Sequence, residues 1–175
     1  MRVALVVPGG VDRSLTERVI PALLWLVEEL GRRVEVVVFA LGHGPEAGEW
    51  EVPGALVVDL GPLRLSPVPG LAFLRRARLL GRLLRRHGPF DVVHAFWATP
   101  CGATAAAAAP HLPLVVSLAG GELAGIPDIG YGCDLVPRER MKVRRTLARA
   151  AAVTAASRPL VAEARRRGVE ARLVP

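Results

Sequence analysis

Three short stretches carry residue types suited to chemistry on a ligand. VVSLAGGEL, residues 115–123, ends a hydrophobic run on Gly120, Gly121 and then a carboxylate, Glu122. DVVHAFWATPCG, residues 91–102, sets His94 and Trp97 near the end of another such run. Gly9 and Gly10 follow the first apolar run, RVALVV. Paired glycines let backbone N–H groups come close to a phosphate or a sugar, and a helix N-terminus beyond them adds a favourable dipole. A carboxylate such as Glu122 reads hydroxyls or caps the short helix after it. A histidine titrating near neutrality serves as acid, base or sugar-orienting group, and a tryptophan beside it stacks on a sugar ring. Each position also has a plain structural reading: a turn at Gly9 and Gly10, a hydrogen-bonded strand-end histidine at His94, a cover on the core at Trp97, and a helix cap at Glu122. Cys101 and Cys133 lie far apart and share no ligand-like spacing with the four histidines, so no disulfide framework, metal site or Cys-His nucleophile is indicated.

The elements that would position these residues alternate. RVALVV, RVEVVVFA, ALVVDLG, FDVVHAF, PLVVSLA, AVTAAS and ARLVP read as strands, and LGHGPEAGEWEVPG reads as a turn-rich loop. Ser14 with Glu17 three residues later forms a capping-box pattern, which predicts a helix from Ser14 through RVIPALLWLVEEL with a kink at Pro21 and a stop at Gly31. RRARLLGRLLRRH, a helix opened by Pro137, and RPLVAEARRRG complete the larger helices. The run from Val92 to Gly121 has no charge, but its three prolines and its alanine stretch favour buried strands around a small-residue helix over a membrane span. The pattern predicts one α/β domain over residues 1–175, a Rossmann-like parallel sheet of about seven strands with helices on both faces. In such sheets ligands bind beyond the carboxyl ends of the strands, where all three stretches fall.

Hydrophobic residues make up 51% of the chain, which excludes a disordered polymer. The net charge of +7 suits anionic partners. Much of it sits in RRARLLGRLLRRH and RERMKVRRTLAR. In the first, Arg75, Arg78, Arg82 and Arg85 recur at helical spacing, with Leu74, Ala77, Leu80 and Leu84 assigned to the buried side. That stripe is either a solvated face or a surface for anionic lipid. Scattered aromatics supply no stacking platform, so nucleic acid is not expected as a partner. The lack of a signal-peptide pattern points to a cytoplasmic protein, peripheral to the inner membrane face if the arginine stripe meets lipid.

The order of PGG, RVIPALLWLVEEL, DVVHAFWATPCG, PLVVSLAGGEL and AVTAASRPLVAEARRRGVEARLVP resembles the N-terminal domain of GT-B glycosyltransferases, in particular the large retaining family 4. The resemblance implies transfer of a sugar from a nucleotide-sugar donor to a hydroxyl acceptor with retention, needing no metal or other cofactor. It makes Gly9, Gly10, Trp97, Gly120, Gly121 and Glu122 acceptor- or sugar-binding residues. It places the nucleotide site in a C-terminal domain that would follow Pro175, so this chain alone is expected to be inactive. Ala119 stands where many members have a histidine, so that residue's role is either lost here or moved, with His94 as one candidate catalytic replacement. A non-catalytic module binding a glycan, lipid head group or protein is the alternative. A dinucleotide-dependent oxidoreductase is disfavoured, because the glycine fingerprint fails after Gly10.

Overall fold

The computed structural model describes residues 1–42, 46–62, 65–68 and 70–174. The His43–Pro45 part of the expected turn-rich loop, and Pro175 at the end of the last expected strand, lie outside them.

Five α-helices and an eight-stranded sheet make up the described fold. The strands are β1 (Arg2–Val7), β2 (Glu35–Ala40), β3 (Gly48–Val52), β4 (Ala55–Asp59), β5 (Val92–Phe96), β6 (Leu114–Leu118), β7 (Ala152–Ala155) and β8 (Arg172–Leu173). The helices are α1 (Pro21–Gly31), α2 (Leu71–His87), α3 (Ala103–Ala108), α4 (Pro137–Arg149) and α5 (Arg158–Arg166). Sheet order is β3-β4-β2-β1-β5-β6-β7-β8, and every pairing is parallel except β3 with β4. β1 and β2 run as continuous buried apolar stretches because both faces of the sheet are covered there. One core cluster holds Leu80, Leu84, Leu114, Val116 and Leu147; the other holds Leu5, Val7, Leu23, Val27 and Val38 on the α1 side.

The sheet has one strand more than the pattern implies. GEWEV alternates charged and larger residues, and a Pro53–Gly54 turn folds it back on β4 as an antiparallel edge strand. Its single buried residue, Val52, explains why no hydrophobic run marks it.

The first helix differs as well. Ser14 does not start it. The Ser14 hydroxyl accepts the Glu17 N–H at 2.9 Å, the first half of a capping box, yet the chain stays irregular until Pro21. Pro21 is therefore not an interior kink but occupies the first helical turn, where its missing N–H costs nothing. The intervening loop closes on itself through a Val11–Val19 bridge and an Asp12–Arg18 ion pair of 3.1 Å. On α2, Ala77, Leu80 and Leu84 are buried as expected, but Leu74 is exposed and Arg76 is buried. The Arg76 guanidinium donates to the carbonyls of Leu60 and Gly61 at 3.2 and 2.9 Å, and burial lowers its pKa against the attraction of Asp59.

Candidate functional site

The chain leaves β1 toward β2 on one side and returns to β5 on the other, so the topological switch point lies between β1 and β5. Open α/β sheets bind ligands outside the carboxyl ends of the strands at such a point. The Pro8–Gly10 turn leaves β1 there, Trp97 leaves β5 there, and Ala119–Glu122 leaves β6 alongside. The fold thus gathers the three stretches along one edge of the sheet.

Gly10 has φ +81°, and a Cβ on it would stand 2.7 Å from Cγ1 of Ile20, the residue that caps α1. The glycine therefore lets the chain bring the N-terminus of α1 back against the turn after a ten-residue excursion, and Ile20 N–H donates to the Gly10 carbonyl at 2.9 Å. Trp50 of β3 secures the same turn by donating its indole N–H to the Val11 carbonyl at 3.1 Å. A sequence reading that leaves β3 in a loop misses this support.

His94 lies on β5 opposite Leu5 of β1 and Val115 of β6. Its Nε2 is 2.8 Å from the Ser117 hydroxyl, which is 2.8 Å from the Thr154 hydroxyl, so a polar chain crosses β5, β6 and β7. Burial pushes the imidazole pKa down from 6.5 to about 4, so the ring is neutral at pH 7. A general base works best with a pKa near the operating pH, and His94 in this state is instead suited to orient a group by neutral hydrogen bonding. Ser117 and Thr154 carried no motif; only their alternation to the same sheet face as His94 marks them. Trp97 adopts φ +80° and ψ 137°, a strained conformation for a bulky residue that costs on the order of 1–3 kcal/mol and tends to gather at functional sites.

Glu122 is 3% exposed, in a 3₁₀ turn over Gly121–Leu123. Its Oε2 accepts the Gly120 N–H at 2.8 Å and its Oε1 the Ala119 N–H at 3.3 Å. The carboxylate thus folds back on the turn that carries it. Gly120 and Gly121 make room for Tyr131: a Cβ on Gly121 would stand 2.9 Å from the Tyr131 Cζ. Tyr131 arrives because residues 121–136 turn back through an Ile126–Tyr131 bridge. Arg167, at the end of α5, holds that segment: its guanidinium donates to the Leu123 carbonyl at 2.8 Å and to both carboxylate oxygens of Asp134 at 2.6 and 3.0 Å. The bonds it donates to Asp134 first, and to Glu163 of α5 next, raise the already high pKa of Arg167 further against the effect of burial. Neither Tyr131 nor Arg167 was singled out by residue type or spacing.

The buried Cys101 and half-buried Cys133 are both free, and burial, with the Glu122 charge second, pushes both thiols up and away from nucleophilic thiolate. Among the described residues no group of His, Cys, Asp and Glu is arranged to hold a metal ion. A groove of about 1120 Å³ lies between α4 and the turn from α5 to β8 and includes neither glycine turn. The crevice lined by Gly9, Gly10, Asp12, Trp50 and Asp59 holds only about 10 Å³.

Residues 19–175 match the family model described as "Glycosyl transferase 4-like domain". No curated protein matches the chain. Among solved structures it resembles sucrose-phosphate synthase from Thermosynechococcus elongatus, at TM-score 0.66 and 14% identity, over 99% of this chain and 47% of that one. UDP-N-acetylglucosamine 2-epimerase from Rickettsia bellii gives 0.61 and 13%, over 97% and 42%. α,α-Trehalose 6-phosphate synthase from Burkholderia multivorans gives 0.57 and 13%, over 95% and 44%. At these identities the likeness concerns the fold alone, and the chain spans less than half the length of each neighbour.

Proposed function

We propose that this chain, which belongs to the glycosyl transferase 4-like domain family, forms the acceptor side of an enzyme that moves a sugar from a nucleotide-sugar donor to a hydroxyl acceptor with retention at the anomeric carbon. The observation that carries the reading is the placement of the Pro8–Gly10 turn, Trp97 and the Ala119–Glu122 turn together at the switch-point edge of a sheet in this family.

Gly9 and Gly10 bring backbone close to the ligand, and Trp97 offers a ring face to the sugar. Glu122 holds the Gly120–Gly121 turn in place through its two backbone hydrogen bonds and sets where that turn meets the acceptor. Neutral His94, steadied by Ser117, orients a ligand hydroxyl. Departure of the nucleotide phosphate needs electrostatic stabilisation, and none of the proposed site residues is a cation. That part of the work, with nucleotide binding, is assigned to a second domain, so the isolated chain has no transfer activity. No metal or other cofactor is assigned to the site.

The test is a panel of nucleotide sugars and hydroxyl acceptors with the intact protein, the product anomer being read by NMR. Transfer with retention, reduced at least tenfold by Gly10→Val with the fold preserved, supports the reading. An inverted product refutes retention. Release of a free or epimerised sugar in place of transfer assigns the fold to the chemistry named for the epimerase neighbour.

A further inference from the structure

The densest charge in the molecule lies on a helix layer. α2, α3 and α4 cover one face of the sheet: Leu80 and Leu84, Ala105, and Val143 and Leu147 all enter the same core cluster. α2 carries six arginines and no acid. α4 carries five arginines, Lys142 and a single acid, Glu139, which already accepts hydrogen bonds from Lys142 and Thr99. Between them α3, ATAAAA, is uncharged. On the opposite face α1 carries Glu28 and Glu29 and no base. Arg75, Arg78, Arg82 and Arg85 of α2 and Arg138 and Arg145 of α4 are exposed, and none has an ion-pair partner among the described residues. A face kept merely soluble interleaves both signs of charge; this one does not.

A second observation separates the possible anionic partners. Leu65 is 85% exposed, Val68 55% and Leu74 47%, just before and within the first turn of α2, and Met141 is 48% exposed early in α4. The two helix starts adjoin, since the Lys142 Nζ lies 5.8 Å from the centre of the Phe73 ring. The aliphatic residues therefore sit along one edge of the cationic layer. Nucleic acid would engage the arginines but has no use for exposed aliphatic side chains, and among the described residues α2 and α4 present no exposed aromatic residue for bases to stack on. An anionic bilayer engages both kinds of residue, with head groups on the guanidinium row and the acyl boundary on the aliphatic edge. No helix of the described residues is long and apolar enough to cross a membrane, so contact of this kind is peripheral.

We propose that the α2–α4 face docks on an anionic lipid bilayer, with Arg75, Arg78, Arg82 and Arg85 against the head groups and Leu65, Val68 and Leu74 at the acyl boundary. Because α2 and α4 begin at the carboxyl edge of the sheet, docking sets the candidate site at the membrane surface. The inference does not rest on sugar transfer.

Flotation of the intact protein with vesicles of phosphatidylcholine, alone or mixed with phosphatidylglycerol, tests it. Binding is expected only to the anionic mixture, and it should fall steeply as salt shortens the screening length from about 30 Å at 0.01 M to about 8 Å at 0.15 M. Arg78→Gln with Arg82→Gln should lower partitioning about 25-fold, roughly fivefold per arginine. Leu65→Ser with Leu74→Ser should lower it while leaving the salt dependence in place. The lipid and salt series on the unaltered protein decides the matter even if a variant folds poorly. The proposal is overturned by absence of binding at low salt, by binding indifferent to both pairs of substitutions, or by tighter binding to duplex DNA or an acidic protein than to the vesicles.

Discussion

Lowering the pH should destabilise the protein through His94 before its carboxylates titrate fully. Burial holds the folded imidazole at a pKa of about 4 against 6.5 in an unfolded chain. Between those values the unfolded chain takes up a proton that the native state refuses, so stability falls as pH drops through that window and rises again on return. The 2.5-unit difference corresponds to ~3 kcal/mol at about 1.4 kcal/mol per unit. That figure is a ceiling, because the ring keeps some contact with solvent. Asp12 and Glu139 also lose stability toward acid. The Ser14 backbone N–H holds the Asp12 carboxyl low, while at Glu139 bonds from Lys142 and Thr99 outweigh burial. Those contributions are common to wild type and a His94→Gln variant, which keeps a hydrogen-bonding group toward Ser117 but does not titrate. Urea unfolding at a series of pH values should therefore show a steeper loss for wild type than for His94→Gln between pH 6.5 and 4. Parallel curves across that window would refute the argument.

Three further substitutions probe the framework of the site. Gly121→Ala places a methyl group against the Tyr131 ring and should cost about 1–3 kcal/mol; in a double-mutant cycle with Tyr131→Ala most of that cost should vanish, and additive effects would count against the contact. Arg167→Lys removes the paired hydrogen bonds to Asp134 and should raise the rate of limited proteolysis within residues 121–136; unchanged cleavage would show that the segment holds itself. Trp50→Phe loses the bond to the Val11 carbonyl and should destabilise by about 0.5–1.5 kcal/mol in denaturant titration, a null result meaning that the first turn needs no support from the hairpin.

The buried parallel strands were legible because each is a run of Val, Leu and Ala between turn residues, and their alternation with helices settles the fold class. β3 was not, because an edge strand with one buried residue leaves no apolar signature. Ser14 misled because its hydroxyl satisfies the Glu17 N–H as well in an isolated turn as in a helix, whereas Pro21 was the truer marker of the helix start. At the site, the gathering of Gly10, Trp97 and Gly121 at one edge follows from chain order alone. What the glycines touch does not, since Tyr131 reaches them only through the folded path of an irregular segment, which has no period to read, and Arg167 holds that segment from α5.

The tyrosine resting on Gly121 also restricts the order in which this region can change by mutation. Any side chain at position 121 meets the ring first, so a lineage must shrink position 131 before it can enlarge position 121. The opposite order passes through an intermediate that carries the clash. Reversion runs the same path backwards, because an aromatic residue fits at 131 again only after position 121 has returned to glycine. Two positions ten residues apart thus change only in a fixed order, with the small residue and the ring inherited as a unit.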